Sequence, residues 1–278
     1  MNAHSAFVAG NAHEVCQDYA VSGCIESTPY VILADGCSSS PDTDTGARLL
    51  VKSAERSLRA HIKCASPFLQ EEHEEAARLA LRHANVLQLA PQCVDATLLT
   101  INVSGDNFFA TCYGDGVVAL QSRDGQLDVY SISFAEGYPR YPSYASQGER
   151  LRMFESHTSN VKEITHYTFF RGDDAIATHA DTHISHDALE TFTGSVKDYE
   201  FVAILSDGFH SFVELIRTET SRKTEPVRLE HFVGNLLDFK NTGGAFVRRR
   251  LNKFLSDAQK NKWQHNDDLA IGVVYLGG

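Results

Sequence analysis

Two uninterrupted apolar runs, residues 31–34 and 202–205, are each followed by an aspartate–glycine pair. The aspartates are Asp35 and Asp207, the second after an intervening Ser206. A short continuous apolar run indicates a strand that is buried on both faces, because a strand with one solvated face alternates apolar and polar residues. The chain must therefore cover both faces of these strands and deliver a carboxylate to the end of each.

The spacing of apolar residues predicts strands that cluster apart from the helices. Strands are expected at residues 5–9, 20–25, 30–34, 97–103, 107–113, 117–122, 127–133, 164–170, 201–205 and 269–276. Helices are expected at residues 47–62, 70–89, 209–216, 228–239 and 244–258. This segregation indicates the α+β class, with two stacked antiparallel sheets and helices outside them. The 278 residues show no shift in composition and predict a single domain, 1–278.

Residues 135–160 interrupt this pattern with glycines, prolines and three tyrosines, at positions 138, 141 and 144. A long segment of this kind in a compact fold is more often functional than idle. We expect a flap-like segment that selects substrates, whose tyrosines either face the substrate or pack against the sheet.

The formal net charge of −11 argues against two classes of partner. Nucleic acids and anionic membranes would both be repelled at long range, so we expect neither. The one basic run, Arg248-Arg249-Arg250, lies in a helical pattern and is either a solvated face or a substrate-docking patch.

The cysteines and the N-terminus bear on the cellular compartment. Six cysteines, at positions 16, 24, 37, 64, 93 and 112, form no C-x-x-C pair and no zinc spacing, which fits reduced thiols. No basic segment precedes an apolar run near the N-terminus, and no apolar stretch reaches the roughly 18 residues of a membrane span. The sequence predicts a cytoplasmic protein.

Two more aspartates stand where strands begin: Asp18 before the second predicted strand and Asp267 before the last. If they converge with Asp35 and Asp207, divalent cations would be needed to keep the cluster ionised. Asp-Gly is also a common turn dipeptide, and Asp124-Gly125 lies between two polar-flanked strands as a plain hairpin turn should. That pair serves as an internal control.

Two other patterns suggest different chemistry. Five histidines crowd one third of the chain and invite a zinc site, but they match no metalloprotease helix motif, and surface or core-edge histidines are the alternative; they are at positions 157, 166, 179, 183 and 186. The run Asp42-Thr43-Asp44-Thr45 resembles an aspartate-nucleophile signature but lacks the apolar strand that must precede it. It predicts a loop that caps a helix beginning near Thr45.

Six short motifs occur in a fixed order along the chain. They are Gly10-x-x-His13-x-x-x-Gln17-Asp18, Leu33-Ala34-Asp35-Gly36, Asp95-Ala96-Thr97-Leu98-Leu99, Tyr113-Gly114-Asp115-Gly116, Leu205-Ser206-Asp207-Gly208-Phe209 and Asn266-Asp267-Asp268-Leu269-Ala270-Ile271. Each is weak by itself, but their joint order is specific. Through them most of the chain resembles the metal-dependent protein phosphatases of the type 2C class, especially the bacterial branch.

The resemblance implies a four-layer α-β-β-α sandwich with a two-metal site at one edge. It implies that Asp35 bridges both ions, that Asp18 and the carbonyl of Gly36 help hold one, and that Asp207 and Asp267 hold the other. Ligation by oxygen alone points to two Mn²⁺ or Mg²⁺ ions. The implied reaction is direct hydrolysis by a water that two cations activate, without a covalent phosphoenzyme.

Three positions depart from the family pattern near the reacting groups. His13 stands where many eukaryotic relatives have a phosphate-gripping arginine, and it either contacts phosphate or makes a structural hydrogen bond. Gln17 replaces an acidic residue that contacts metal-bound water, and its amide oxygen is expected to serve instead. Cys37 replaces a histidine proposed to protonate the leaving group, so that His13 or a metal-bound water would supply the proton, or the proton matters little. A nucleophilic Cys37 is not expected.

Three further positions concern the outer part of the site. Ser211 replaces an aspartate that in many relatives helps bind a third, looser metal, so a third ion is doubtful. Asp115 would be the remaining ligand of that ion or would only close a turn. Asp268 replaces the family's usual asparagine, and the pattern leaves open whether it enters the metal shell.

The resemblance implies a cytoplasmic, bacterial-type phosphatase that removes phosphate from serine or threonine of a phosphorylated protein, with Asp35, Asp207 and His13 as catalytic residues. The departures support an alternative, a catalytically weak relative that binds a phosphoprotein or another partner. A third alternative is a phosphatase of a small phosphorylated metabolite. No oligomeric state is predicted.

Overall fold

The computed structural model describes residues 1–63, 68–170, 179–217 and 222–277. Its strands are β1 (Asn2–Val8), β2 (Tyr19–Ile25), β3 (Thr28–Ala34), β4 (Leu98–Ser104), β5 (Asn107–Tyr113), β6 (Gly116–Ser122), β7 (Gln126–Phe134), β8 (Lys162–Phe170), β9 (His179–Ser185), β10 (Leu189–Ser195), β11 (Tyr199–Leu205), β12 (Phe212–Arg217), β13 (Arg222–Pro226), β14 (Trp263–His265) and β15 (Leu269–Tyr275). The helices are α1 (Thr43–Lys63), α2 (Gln70–Val86), α3 (Gly148–His157), α4 (Val233–Leu236) and α5 (Phe246–Lys260). Short 3-10 helices lie at Pro91–Val94, Pro142–Ser146, Asp207–His210 and Leu229–His231.

Two antiparallel sheets form the centre of the fold. A seven-stranded sheet has the order β1-β15-β11-β6-β7-β8-β9, and a five-stranded sheet has the order β10-β5-β4-β3-β2. A smaller sheet, β13-β12-β14, was not predicted. The α+β prediction is confirmed, since helices and strands segregate as expected.

The apolar side chains form three clusters that separate four layers. One cluster lies between the two large sheets, one packs α1 and α2 on the five-stranded sheet, and one packs α5 on the seven-stranded sheet. Strand β3 takes part in two clusters, because Ile32 faces the helices while Val31 and Leu33 face the other sheet. The uninterrupted apolar run at 31–34 is thus explained by burial on both faces.

The two large sheets lie close together where β3 packs against β15. A Cβ atom at Gly272 would lie 2.1 Å from Val31 Cγ1, so a side chain at this position would collide with β3. Because β15 also pairs with β11, with Leu205 opposite Ile271, the contact draws three strand ends together. These are the ends that carry Asp35, Asp207 and Asp267.

The helix predicted at 209–216 is wrong. A 3-10 turn ends at His210, and residues 212–217 form strand β12, which pairs with β13 and β14. The segment contains one aromatic and two β-branched residues, and one of its partners, β14, lies far along the chain, so pairing with other strands decides its conformation. The helix predicted at 228–239 is reduced to a 3-10 turn and α4, and β9, β10, β13 and β14 were not predicted.

Residues 135–160 are more ordered than the sequence indicated. They contain the Pro142–Ser146 turn and α3. Tyr141 and Phe154 are buried, whereas the Tyr138 side chain is 66% exposed. The tyrosines therefore divide between the two alternatives: Tyr141 packs inward and Tyr138 faces outward.

Two observations bear on the expected compartment. In the described ranges, no helix is both long and apolar enough to cross a membrane. Cys16, Cys24, Cys37, Cys93 and Cys112 are free thiols, and Cys64 lies outside the described residues.

Candidate functional site

The converging strand ends and the 135–160 segment enclose a cavity of about 790 Å³. Asp35, Asp115, Asp207 and Asp267 line it, together with Gly36. Residues from four distant parts of the chain thus line one cavity, and three of them, Asp35, Asp207 and Asp267, were expected to converge with Asp18.

Asp18 and Gln17 are not part of the cavity lining but lie next to Asp35 and Gly36. The Asp18 side chain is buried, its Oδ2 accepts a hydrogen bond from Ser206 Oγ at 2.7 Å, and its carboxyl is within hydrogen-bonding reach of Asp35. The remaining oxygen, Asp18 Oδ1, is buried without a hydrogen-bond partner, and so is Gln17 Oε1. Unpartnered buried acceptors are costly, and they are the donor type that Mg²⁺ and Mn²⁺ prefer, so these residues fit a hard cation.

The backbone around Asp35 is fixed by the start of the neighbouring strand. Asp35 N–H donates to Thr97 Oγ1 at 3.2 Å, and Thr97 N–H donates to the Asp35 carbonyl at 2.9 Å. Cys37 N–H donates to the Asp95 carbonyl at 2.8 Å. The main-chain positions on either side of Gly36 are therefore held, while the Asp35 side chain faces the cavity.

The two kinds of Asp-Gly pair differ as expected. Asp124 and Gly125 form the exposed turn between β6 and β7, where Gly125 has φ +99°. At Gly208, by contrast, a Cβ atom would lie 1.8 Å from the Asp268 carbonyl oxygen. The glycine after Asp207 is thus required by close packing beside the cavity.

Burial and repulsion between the carboxylates raise the pKa values of three of them. Burial, then the charge of Asp207, raises the pKa of Asp115 to about 8. Burial also raises the pKa of Asp18 and Asp35 well above the usual range, and the charge of Asp207 adds to both effects. Divalent cations would relieve this repulsion, so the electrostatics favour metal binding.

His13 lies behind Asp267, outside the lining of the cavity. Its Nδ1 is 3.7 Å from Asp267 Oδ1 and 3.1 Å from Asp268 Oδ2, the latter without hydrogen-bond geometry. This placement does not support phosphate contact by His13, and Nδ1 does not make the structural hydrogen bond either. Ser211 lies on the other side, where its Oγ accepts the Asp267 N–H at 3.1 Å.

Cys37 is part of the cavity wall. Its Sγ lies 3.1 Å from Ser39 Oγ, and the Tyr141 hydroxyl also hydrogen-bonds to it. Burial alone would raise the pKa of the Cys37 thiol, but the hydrogen bonds from Ser39 and Tyr141 outweigh burial and lower it.

An ion pair between Asp95 and Arg150 joins α3 to the strand ends, and sequence analysis did not identify it. Asp95 is 2% exposed, and both its oxygens accept hydrogen bonds from Arg150, at 2.7 Å and 2.5 Å. The hydroxyls of Ser40 and Ser143 also donate to it, and the Arg150 guanidinium lies 4.8 Å from the Tyr144 ring centroid. The available signal was an aspartate directly before a buried strand, since such a carboxylate needs a cation.

The other candidate groups stay apart from the site. Among the histidines from 157 to 186 whose side chains are described, none joins a group of metal-ligating atoms. In the basic run, Arg249 donates to the Gly243 carbonyl and the half-buried Arg250 donates to the Leu236 carbonyl. The Asp42–Thr45 run leads into α1, which begins at Thr43.

Comparison with known proteins agrees with this architecture. The sequence profile described as protein phosphatase 2C matches residues 10–256. The fold is similar to a bacterial serine phosphatase (TM-score 0.57, 12% identity, covering 100% of this chain and 98% of the other). It is also similar to the serine/threonine phosphatases Stp1 from Staphylococcus aureus (0.55, 10%, 99% and 95%) and PstP/Ppp from Mycobacterium tuberculosis (0.54, 14%, 100% and 99%). No curated protein matches by sequence.

Proposed function

Since the chain belongs to the protein phosphatase 2C family, we propose that it is a divalent-metal-dependent phosphatase acting on phosphoserine or phosphothreonine in a protein. One observation carries the proposal: Asp35, Asp115, Asp207 and Asp267 line a single cavity, and the buried Asp18 lies beside Asp35. A cluster of this charge repels a phosphate group by itself, so substrate binding there requires cations.

The proposed ligands are those that the family resemblance implies, and all of them except the buried Asp18 line the cavity. Asp35, Asp207, Asp267, Asp18 and the Gly36 carbonyl would hold two Mn²⁺ or Mg²⁺ ions. When bound, the two ions lower the pKa of an attacking water and neutralise charge on the phosphoryl oxygens. The protein's part is to fix the ligands and to orient the phosphate.

Thr97 and Ser211 fix the main chain of two proposed ligands. Thr97 holds the Asp35 backbone, and Ser211 accepts the backbone N–H of Asp267, so the main chain that carries each carboxylate is fixed by a hydrogen bond. Ser211 uses its hydroxyl in this way, which leaves Asp115 as the one carboxylate for a third ion. A two-ion site is therefore the proposal.

Phosphate release from a phosphoserine peptide in Mn²⁺ tests the assignment. Asp35→Asn and Asp207→Asn are each expected to lower kcat/KM at least about 100-fold, because each removes a charge that holds an ion. Asp124→Asn, the same change in the exposed hairpin turn, is the matched control and should leave the rate unchanged. Full activity in Asp35→Asn would contradict the proposal.

A second candidate function, phosphoprotein binding without turnover, is favoured by Cys37, because a thiol is a poor proton donor for a leaving group. Tight, Mn²⁺-dependent binding of the phosphopeptide without phosphate release would select this function. Hydrolysis of small phosphomonoesters without any activity on phosphopeptides would select the metabolite alternative instead.

The 135–160 segment is proposed as a flap that selects substrates, because it forms one wall of the cavity. Tyr138 and Met153 line the cavity and are 66% and 56% exposed, so they can meet a peptide beside the phosphate. Tyr138→Ala is expected to raise KM for a phosphopeptide several-fold and to leave p-nitrophenyl phosphate hydrolysis unchanged. An equal loss on both substrates would argue against the flap role.

The free thiols are compatible with a proposed cytoplasmic location.

A further inference from the structure

Asp268 lies directly behind the cavity, with 2% of its surface exposed. Both of its oxygens accept backbone hydrogen bonds: Oδ1 from Gly10 N–H at 2.7 Å and Oδ2 from Gln17 N–H at 2.5 Å. The His13 imidazole lies beside the same carboxylate. One side chain therefore holds both ends of the loop formed by residues 10–17.

The same loop is fastened along the chain that precedes Asp268. Asn11 N–H donates to the His265 carbonyl at 3.2 Å, and Ala12 N–H donates to the Asn266 carbonyl at 3.0 Å. At Gly10 a Cβ atom would lie 2.3 Å from the Asp267 carbonyl carbon, so the loop sits too close to β15 for a side chain there. These contacts fix the position of the loop against the residues that precede β15.

The fixed position of this loop determines where Asp18 lies. Gln17, which Asp268 binds, is the chain neighbour of Asp18, and Asp18 Oδ2 accepts a hydrogen bond from Ser206 Oγ at 2.7 Å. Ser206 Oγ in turn accepts the Ala270 N–H at 2.9 Å. These links form a closed ring through Asp268, Gln17, Asp18, Ser206 and Ala270, so Asp18 is oriented from two sides.

In this chain the ring uses both oxygens of the Asp268 carboxylate. An amide has one oxygen acceptor, and its NH₂ group would face one of the two N–H groups, leaving a buried donor unpaired. We propose that Asp268 is a positioning residue for the divalent-cation site: it sets Gln17 and Asp18 in place, and cation affinity depends on it. This inference rests on the proposed function, because the cations are those assigned above.

Calorimetric titration of Mn²⁺ into the metal-free protein tests the inference. Asp268→Asn keeps the size of the side chain, removes one acceptor and is expected to weaken Mn²⁺ binding about tenfold or more, as loss of groups that orient ligands does. Asp124→Asn is the matched control and should bind as the wild type does. Amide exchange at Gly10 and Gln17 should also accelerate in metal-free Asp268→Asn, which reports on the loop without reference to activity.

A folded Asp268→Asn variant that binds Mn²⁺ as tightly as the wild type overturns the inference, even if its thermal stability is lower. If Asp268→Asn does not fold, Ser206→Ala tests the other half of the ring with a smaller change. Unaltered Mn²⁺ affinity in Ser206→Ala then overturns the inference, and at least tenfold weaker binding supports it. A wild-type protein that binds no Mn²⁺ refutes the proposed function itself, so the two failures are distinguishable.

Discussion

The ion pair between Asp95 and Arg150 should make a large contribution to stability. Removing one partner of a buried pair leaves an uncompensated charge and costs about 3–5 kcal/mol. In Arg150→Met, Asp95 would keep two hydroxyl donors, Ser40 at 3.0 Å and Ser143 at 3.3 Å, so we expect the lower end. The free energy of unfolding should therefore fall by about 3 kcal/mol.

Urea denaturation followed by circular dichroism measures this change. Arg152→Met is the matched control, because Arg152 lies on the same helix, is exposed, and bonds to the carbonyl of Gly148 within that helix. Its cost should stay within about 0.5 kcal/mol. Adding Asp95→Asn to Arg150→Met should recover part of the loss, since the buried charge is then gone. Equal stability of Arg150→Met and Arg152→Met would refute the reasoning.

Three further predictions concern pH and packing. Burial, then the charge of Asp207, raises the pKa of Asp115 from 3.8 to about 8, so the folded state retains a proton that the unfolded state releases. The stability of the metal-free protein should therefore fall as pH rises between about 4 and 8. Asp115→Asn should reduce this slope in urea titrations, and the raised pKa values of Asp18 and Asp35 should maintain the rest of it. A slope that Asp115→Asn leaves unchanged would contradict this. Burial lowers the pKa of His73 from 6.5 to about 4, so the neutral imidazole stabilises the fold and this stability is lost as pH falls from 6.5 to 4. The melting temperature of His73→Gln should therefore decline less over that pH range than that of the wild type. Gly272→Ala should cost about 1–3 kcal/mol by overpacking and should weaken Mn²⁺ binding. Gly148→Ala, where a Cβ atom would meet nothing within 4 Å, should do neither in melting and calorimetric measurements.

Much of the fold could be predicted because its signals are local. The apolar run at 31–34 required burial on both faces, and the spacing at 244–258 indicated the amphipathic helix α5. The segment 212–217 could not be assigned in the same way. Its residues are compatible with helix or strand until β13 and β14 provide hydrogen-bonding partners. The spacing of apolar residues within the segment does not indicate that pairing.

The candidate site divides along the same line. The sequence by itself determined which carboxylates stand at strand ends, Asp35 and Asp207 among them, because strand periodicity and motif order are properties of neighbouring residues. Only the tertiary structure decided that Asp268 binds the loop at Gly10 and Gln17, and that Arg150 pairs with Asp95. These contacts join residues far apart in the chain, and their geometry is fixed only when the two sheets pack together.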